Sequence, residues 1–289
     1  MHADKQGART VLDWLTDAKI PVGKTAKLVF DWLKLHAAPL FDATSTVMET
    51  LIEAILWLLI APPPLVIIAV FVALAWFLQR SWKICLGVAL GLLFIVNQGY
   101  WKETCESLTL IIAACVVCMG IGVPIGIAAA HRPRLYAALS PVLDLMQTLP
   151  TFVYLIPAIV FFGTGLVPGL LATVIFVLPA PIRMTHLGVS STPTALLEAA
   201  TAFGATPSQR LWKVELPWSM PQIMAGLNQT IMLSLSMVVI SSMVGAKGLG
   251  SPVMRALANV DTAKGFESGF VIVVVAIVLD RMLRKETAR

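Results

Sequence analysis

The stretch EAATAFGATPSQRLWKVELP, residues 198–217, is polar and charged and lies between two long apolar runs. Its skeleton is Glu198-Ala199-Ala200, three residues, Gly204, nine residues, Val214, one residue, then Leu216-Pro217. In a chain this apolar, such a segment is where a soluble partner has to grip. Glu198, Ala199, Ala200, Ala202 and Phe203 suit a short helix, and Ser190-Ser191-Thr192-Pro193-Thr194 ahead of it offers capping hydroxyls and a helix-starting proline. Gly204 lets the chain turn at the helix end in a left-handed conformation that only glycine adopts cheaply. Pro217 then helps to end the loop. The expectation is a rigid lever.

Composition sets the surroundings. The chain is 58% hydrophobic and 13% charged, with mean hydropathy +0.85, more apolar surface than a soluble domain can bury. Charge-free runs extend over 54–79, 84–101, 107–130, 145–182 and 216–246. At about 20 residues per crossing most hold one span and the fourth holds two. The expected fold class is therefore all-α, a polytopic membrane protein of about seven transmembrane helices.

The spans are placed at 65–78, 84–99, 108–130, 150–162, up to Ile182, 221–244 and 266–283, the last flanked by Glu267, Asp280 and Arg281. Pro62-Pro63-Pro64 stops a preceding helix that begins near Thr46. Tyr136 to Gln147 reads as a short helix along the inner surface leading into the fourth span. Pro150 and Pro157 in that span read as packing kinks, tolerated where neighbours satisfy the freed carbonyls, with a helix broken at a substrate path as the competing reading. Gly245 to Lys264 reads as a long outer segment. The domain plan is a helical tail 1–61, two spans in 62–106, a core 107–285 with a docking loop 188–217, and a short end 286–289.

The first 53 residues hold six Lys or Arg and seven Asp or Glu. Between Lys24 and His36 the apolar Leu28, Val29, Trp32 and Leu33 recur at helical spacing, as in an amphipathic helix lying on a membrane surface. No apolar run suited to a cleavable signal precedes it.

Net charge is +5, but the basic residues flank spans instead of forming a patch for nucleic acid. Arg80, Lys83, Arg132, Arg134, Arg183, Arg210, Lys213, Arg281, Arg284, Lys285 and Arg289 share one side, against Lys102, Lys247, Arg255 and Lys264. The positive-inside rule makes the first set cytoplasmic. The docking segment and the C-terminus then face the cytoplasm, and the N-terminal tail faces outward.

Cys115 and Cys118 spell C-x-x-C inside an apolar run, where they read as packing residues, and His2, His36, His131 and His186 are too scattered to complete a metal shell. No G-x-x-x-x-G-K-[ST] loop is present, so ATP chemistry is not expected on this chain. An ion-driven secondary transporter would place acids in the spans, yet the first six span cores contain none. A membrane enzyme would need converging His, Cys, Asp or Glu.

At usual Gly and Pro frequencies of about 7% and 5%, Gly204 and Pro217 at their spacing recur by chance about once in 289 windows. With Glu198, Ala199, Ala200, Val214 and Leu216 included, the spacing resembles the cytoplasmic loop by which ABC-importer permeases dock on their ATPase. The resemblance broadens through Gln147-Thr148-Leu149-Pro150-Thr151-Phe152-Val153-Tyr154-Leu155-Ile156-Pro157, Leu178-Pro179-Ala180-Pro181-Ile182-Arg183, Met224-Ala225-Gly226-Leu227-Asn228-Gln229-Thr230, Leu235-Ser236-Met237-Val238-Val239-Ile240 and Gly248-Leu249-Gly250. Over about residues 60–285 these resemble the permease subunits of quaternary-amine importers for glycine betaine, proline betaine and choline. Trp32 with His36-Ala37-Ala38, and residues 87–100, look closer to the choline branch.

The resemblance implies a type I ABC-importer permease fold in a bacterial inner membrane, bounded by lipid. It implies a homodimer of permeases, a cytoplasmic ABC ATPase subunit carrying ATP and magnesium, and a periplasmic substrate-binding protein. This chain would hold no cofactor. Gln147, Asn228, Gln229, Ser234 and Ser236, polar and within or beside spans, are the residues expected to line the path, with hydrogen bonding between helices as their competing role. An aromatic box for the trimethylammonium group is expected on the binding protein.

Overall fold

The computed structural model describes residues 21–283, so the expectations for residues 1–20 and 284–289 fall outside it. Among the described residues every regular element is helical. The chain divides into two units, Met1–Asp42 and Ala43–Arg289.

In the first unit helix α1 (Val22–His36) covers the amphipathic stretch read from the sequence. Leu28, Val29, Trp32 and Leu35 are all exposed, and the Trp32 ring stacks on His36 at 4.7 Å between centroids. Helix α2 (Ala38–Ile60) begins in this unit and continues into the second. It is longer than the expected Thr46 to Ala61, and it is long and apolar enough to cross a membrane. The three prolines end it as foreseen.

In the second unit α3 (Pro64–Gln79) and α4 (Trp82–Asn97) form a hairpin that turns on Arg80 at φ 49°. At 16 residues apiece each is about 24 Å long, short of a typical hydrocarbon core of about 30 Å. They pack on α14 (Thr262–Leu283), where the Gln79 side-chain amide donates to the Met282 carbonyl at 2.8 Å.

Helices α5 (Trp101–Ala130), α8 (Leu166–Val177) continuing as α9 (Pro179–Ser190), and α12 (Leu216–Ser241) build the centre. Glycine lets them approach closely. A Cβ on Gly126 would stand 2.6 Å from Thr185 Cβ, and one on Gly188 would stand 2.8 Å from Ser219 Cβ. Such small-residue contacts are how helices associate where lipid removes the hydrophobic drive between them. Cys118 is fully buried in this packing and Cys115 half-buried, beside apolar neighbours on α5 and α8.

The expected fourth span is corrected. Helix α6 (Pro133–Thr148) is the foreseen inner helix, but it is followed by a 3-10 turn at Thr151–Tyr154 and by α7 (Leu155–Phe162), only eight residues long. The two arms meet at 104°. Pro150 forces Leu149 into extended backbone at ψ 136°, so the chain breaks there instead of kinking. The buried Tyr154 hydroxyl donates to the Met146 carbonyl at 2.5 Å and ties the elbow.

The fifth span also differs. It reaches Ser190, eight residues beyond the expected end at Ile182, because Pro179 and Pro181 sit in the first turn of α9, where a missing amide costs nothing. The expected outer segment 245–264 contains helix α13 (Gly250–Asn259).

Charged residues gather at helix ends in this unit. Tyr100, Glu103, Arg255, Asp261 and Lys264 share a cleft of about 390 Å³ at the start of both α5 and α14. Lys83 and Arg281 share another, where α14 finishes. His131, at the finish of α5, meets Glu215, which also accepts from Arg210.

Candidate docking segment and pathway

The expected docking segment is more helical than the sequence suggested. Helix α10 (Thr194–Ala202) carries Glu198, Ala199 and Ala200, the first two exposed and the third half-buried. Phe203 closes the helix with 93% of its surface exposed. Gly204 turns at φ 78°. The Gly204 amide donates to the Thr201 carbonyl at 2.9 Å and the Ala205 amide to the Ala200 carbonyl at 3.0 Å, the paired bonds of a glycine-terminated helix.

The expected capping hydroxyls do something else. Pro193 occupies the N-cap with no side-chain cap, while Ser190, Ser191 and Thr192 donate back to the carbonyls of His186, Gly188 and Val189 at 2.7, 2.9 and 2.9 Å. They close the end of α9, whose last carbonyls are nearer than the first amides of α10.

Pro217 does not mark the loop's end. Helix α11 (Pro207–Arg210), a π-helical turn at Leu211–Glu215 and α12 run on from one another, and Pro207–Val244 forms one 38-residue helical span. Thr206 starts it with a reciprocal cap: its hydroxyl accepts from the Gln209 amide at 3.3 Å, and its own amide donates to Gln209 Oε1 at 2.9 Å. Pro207 and Pro217 both fall in first turns and are tolerated there. Val214 and Leu216 are half-buried and Pro217 is exposed. The non-helical part of the foreseen loop 188–217 is thus confined to the two turns flanking α10.

Glu215 was not singled out from the sequence. Its carboxylate is 3% exposed, and it accepts from Arg210 Nε at 3.1 Å and from His131 Nε2 at 2.6 Å. His131 Nδ1 lies 3.0 Å from the Ile127 carbonyl. Each ring nitrogen therefore faces an oxygen acceptor.

The five expected path residues are not brought together. Gln147, on α6, accepts from Arg183 Nη1 at 3.1 Å, and Arg183 also pairs with Asp144 at 2.6 Å. Asp144 is 61% exposed, so this pair is worth about 1 kcal/mol or less. Ser234 is buried and Asn228 is half-buried; the Ser234 hydroxyl and Asn228 Oδ1 have no hydrogen-bond partner among the described residues. Gln229 and Ser236 are exposed. Being seven residues apart, they share a face of α12 with the exposed Trp218, and the exposed Met243 follows in the 3-10 turn Ser242–Val244.

The family pattern of binding-protein-dependent transport system inner membrane components matches residues 122–284, more than half of the chain. The chain belongs to that family. It is 43% identical over 264 residues to the glycine betaine transport system permease protein OpuAB of Bacillus subtilis (strain 168), covering 91% of this chain and 93% of that protein. It is 41% identical over 274 residues to the glycine betaine/proline betaine transport system permease protein ProW of Escherichia coli (strain K12), covering 94% of this chain and 77% of that one. Among solved structures, a chain of the MetNI methionine ABC transporter in an inward-facing conformation superposes with TM-score 0.51 at 26% identity, covering 61% of this chain and 88% of that one. The fold is that of a type I ABC-importer permease, and the chain is an ABC-importer permease of the quaternary-amine group.

Proposed function

We propose that this permease forms, as a homodimer, the membrane pathway of an importer that brings glycine betaine or a close quaternary amine into the cell. An ABC ATPase subunit drives it and a substrate-binding protein delivers the cargo. The observation that carries the reading is α10: a helix with its terminal Phe203 ring almost wholly exposed, held between two long helices by a glycine turn and a capped start. An exposed aromatic ring on a rigid mount suits a pocket on a soluble partner. The names of the relatives favour glycine betaine or proline betaine as cargo. Choline, which shares the trimethylammonium group, is the second reading, resting on the likeness of residues 32–38 and 87–100 to that branch.

ATP and magnesium belong to the ATPase subunit in this reading, and the chain itself moves between inward-open and outward-open states. The stripe Trp218, Gln229 and Ser236 on α12, with Met243 in the turn after it, faces the second copy and the path between them. The setting is a bacterial inner membrane with α10 and the C-terminus cytoplasmic. Helix α2 carries Asp42, Glu49 and Glu53, and acids at the centre of a bilayer cost about 2.5–3.5 kcal/mol each on insertion scales. In this reading α2 stays outside the hydrocarbon core and the tail is extracytoplasmic.

The test is capture of the ATPase subunit by the purified permease and by Phe203→Asp. A charge on the exposed ring position should reduce capture at least about tenfold, the equivalent of 1.4 kcal/mol, with the thermal stability of the permease unchanged. Equal capture by both proteins contradicts docking through α10.

A further inference from the structure

We infer that Glu215 is a positioning residue that makes the docking segment and the end of α5 move as one body, so that ATPase motion received at α10 reaches α5. The inference rests on the importer reading above and specifies where the mechanical input goes after α10.

The local geometry is built for this contact. Arg210 and Glu215 are five residues apart, which in an α-helix would turn them about 140° away from each other. Here the Leu216 amide donates to the Leu211 carbonyl, closing a π-turn over Leu211–Glu215. The wider turn carries the Glu215 carboxylate round to Arg210 Nε at 3.1 Å. Turns of this kind appear mostly as single insertions in α-helices and frequently at functional sites. The same carboxylate reaches across to His131 at the C-cap of α5, 84 positions earlier in the chain, at 2.6 Å.

Burial makes the clasp hard to open. Glu215 is 3% exposed, while Arg210 and His131 keep 34% and 39% of their side chains open to solvent. A carboxyl group this buried is stable only while its hydrogen-bonding partners remain on it. The partners can rearrange at their exposed ends, but Glu215 has no aqueous alternative. Since α10 packs against both α11 and the π-turn, a push on α10 arrives at Glu215 through contiguous helix. Through His131 it passes to α5, whose other end holds the chain at Ser107, where the hydroxyl accepts from the Leu249 amide at 2.8 Å. The clasp thus offers a route from the docking face to the opposite end of the bundle.

The test uses the complete transporter in proteoliposomes, permease with its ATPase subunit and binding protein, and reads labelled glycine betaine or choline taken up per ATP hydrolysed. ATPase bound per permease is measured alongside. Glu215→Gln keeps the shape and removes the charge, and His131→Asn removes the link to α5 while leaving Arg210 on the carboxylate. Both should retain the ATPase and lose about fivefold or more in uptake per ATP, within the usual range of coupling between sites. The double variant should be no worse than Glu215→Gln alone, because both act on one contact. If Glu215→Gln fails to assemble, His131→Asn decides. Uptake per ATP equal to the parent's in the assembled variants, with or without a lower yield of protein, overturns the clasp. A parent that never recruits an ATPase overturns the importer reading, and the clasp with it.

Discussion

The Ser107 hydroxyl accepts a hydrogen bond from the Leu249 amide at 2.8 Å, and a Cβ placed on the neighbouring Gly248 would stand 2.6 Å from that same oxygen. Gly248 also has φ 132°, a conformation that side-chain-bearing residues rarely adopt. Clash and strain act together. Gly248→Ala should destabilise the protomer by about 1–3 kcal/mol, seen as a lower melting temperature in detergent. Gly87→Ala serves as the comparison, since a Cβ there meets nothing within 4 Å. Equal melting temperatures for the two variants would show that the approach of residues 248–249 to α5 is not tight.

The elbow between α6 and α7 gives a milder prediction. Tyr154→Phe removes the hydroxyl that donates to Met146 but keeps the buried ring. The loss should be about 0.5–1.5 kcal/mol, the net worth of one ordinary hydrogen bond. Thermal unfolding of Tyr154→Phe beside the parent measures it. A variant as stable as the parent would mean that Pro150 and packing hold the bend alone.

Topology can be read with accessible cysteines in a chain whose four native cysteines are replaced. A cysteine at Ser45 on α2 should react with an impermeant reagent added outside intact cells, and one at Thr201 on α10 should react only after the inner face is exposed. Labelling of both from the same side would place α2 across the bilayer and reverse the side proposed for the tail.

Much of this was legible in the sequence because it depends on local chemistry. Gly204 announced the left-handed turn and Glu198 to Phe203 the helix. Prolines were harder to read. Pro150 and Pro157 read as kinks, yet Pro150 turns the chain through 104°, whereas Pro179, Pro207 and Pro217 interrupt nothing because each falls in a first helical turn. The effect of proline depends on where its helix begins, which sequence fixes only to within a few residues. Glu215 was invisible for another reason. Its partner His131 lies 84 residues away, and the π-turn that aims it has no composition of its own. Ser234 was read as polar and path-lining, but polarity carries no information about which face of α12 is buried.

The most direct test of the account is accumulation of labelled glycine betaine in proteoliposomes holding this permease, its ATPase subunit and the binding protein, with ATP or a non-hydrolysable analogue supplied to the ATPase. The account predicts accumulation against the gradient with ATP, and none with the analogue or without the ATPase. Accumulation that proceeds undiminished without ATP or without that subunit would contradict it.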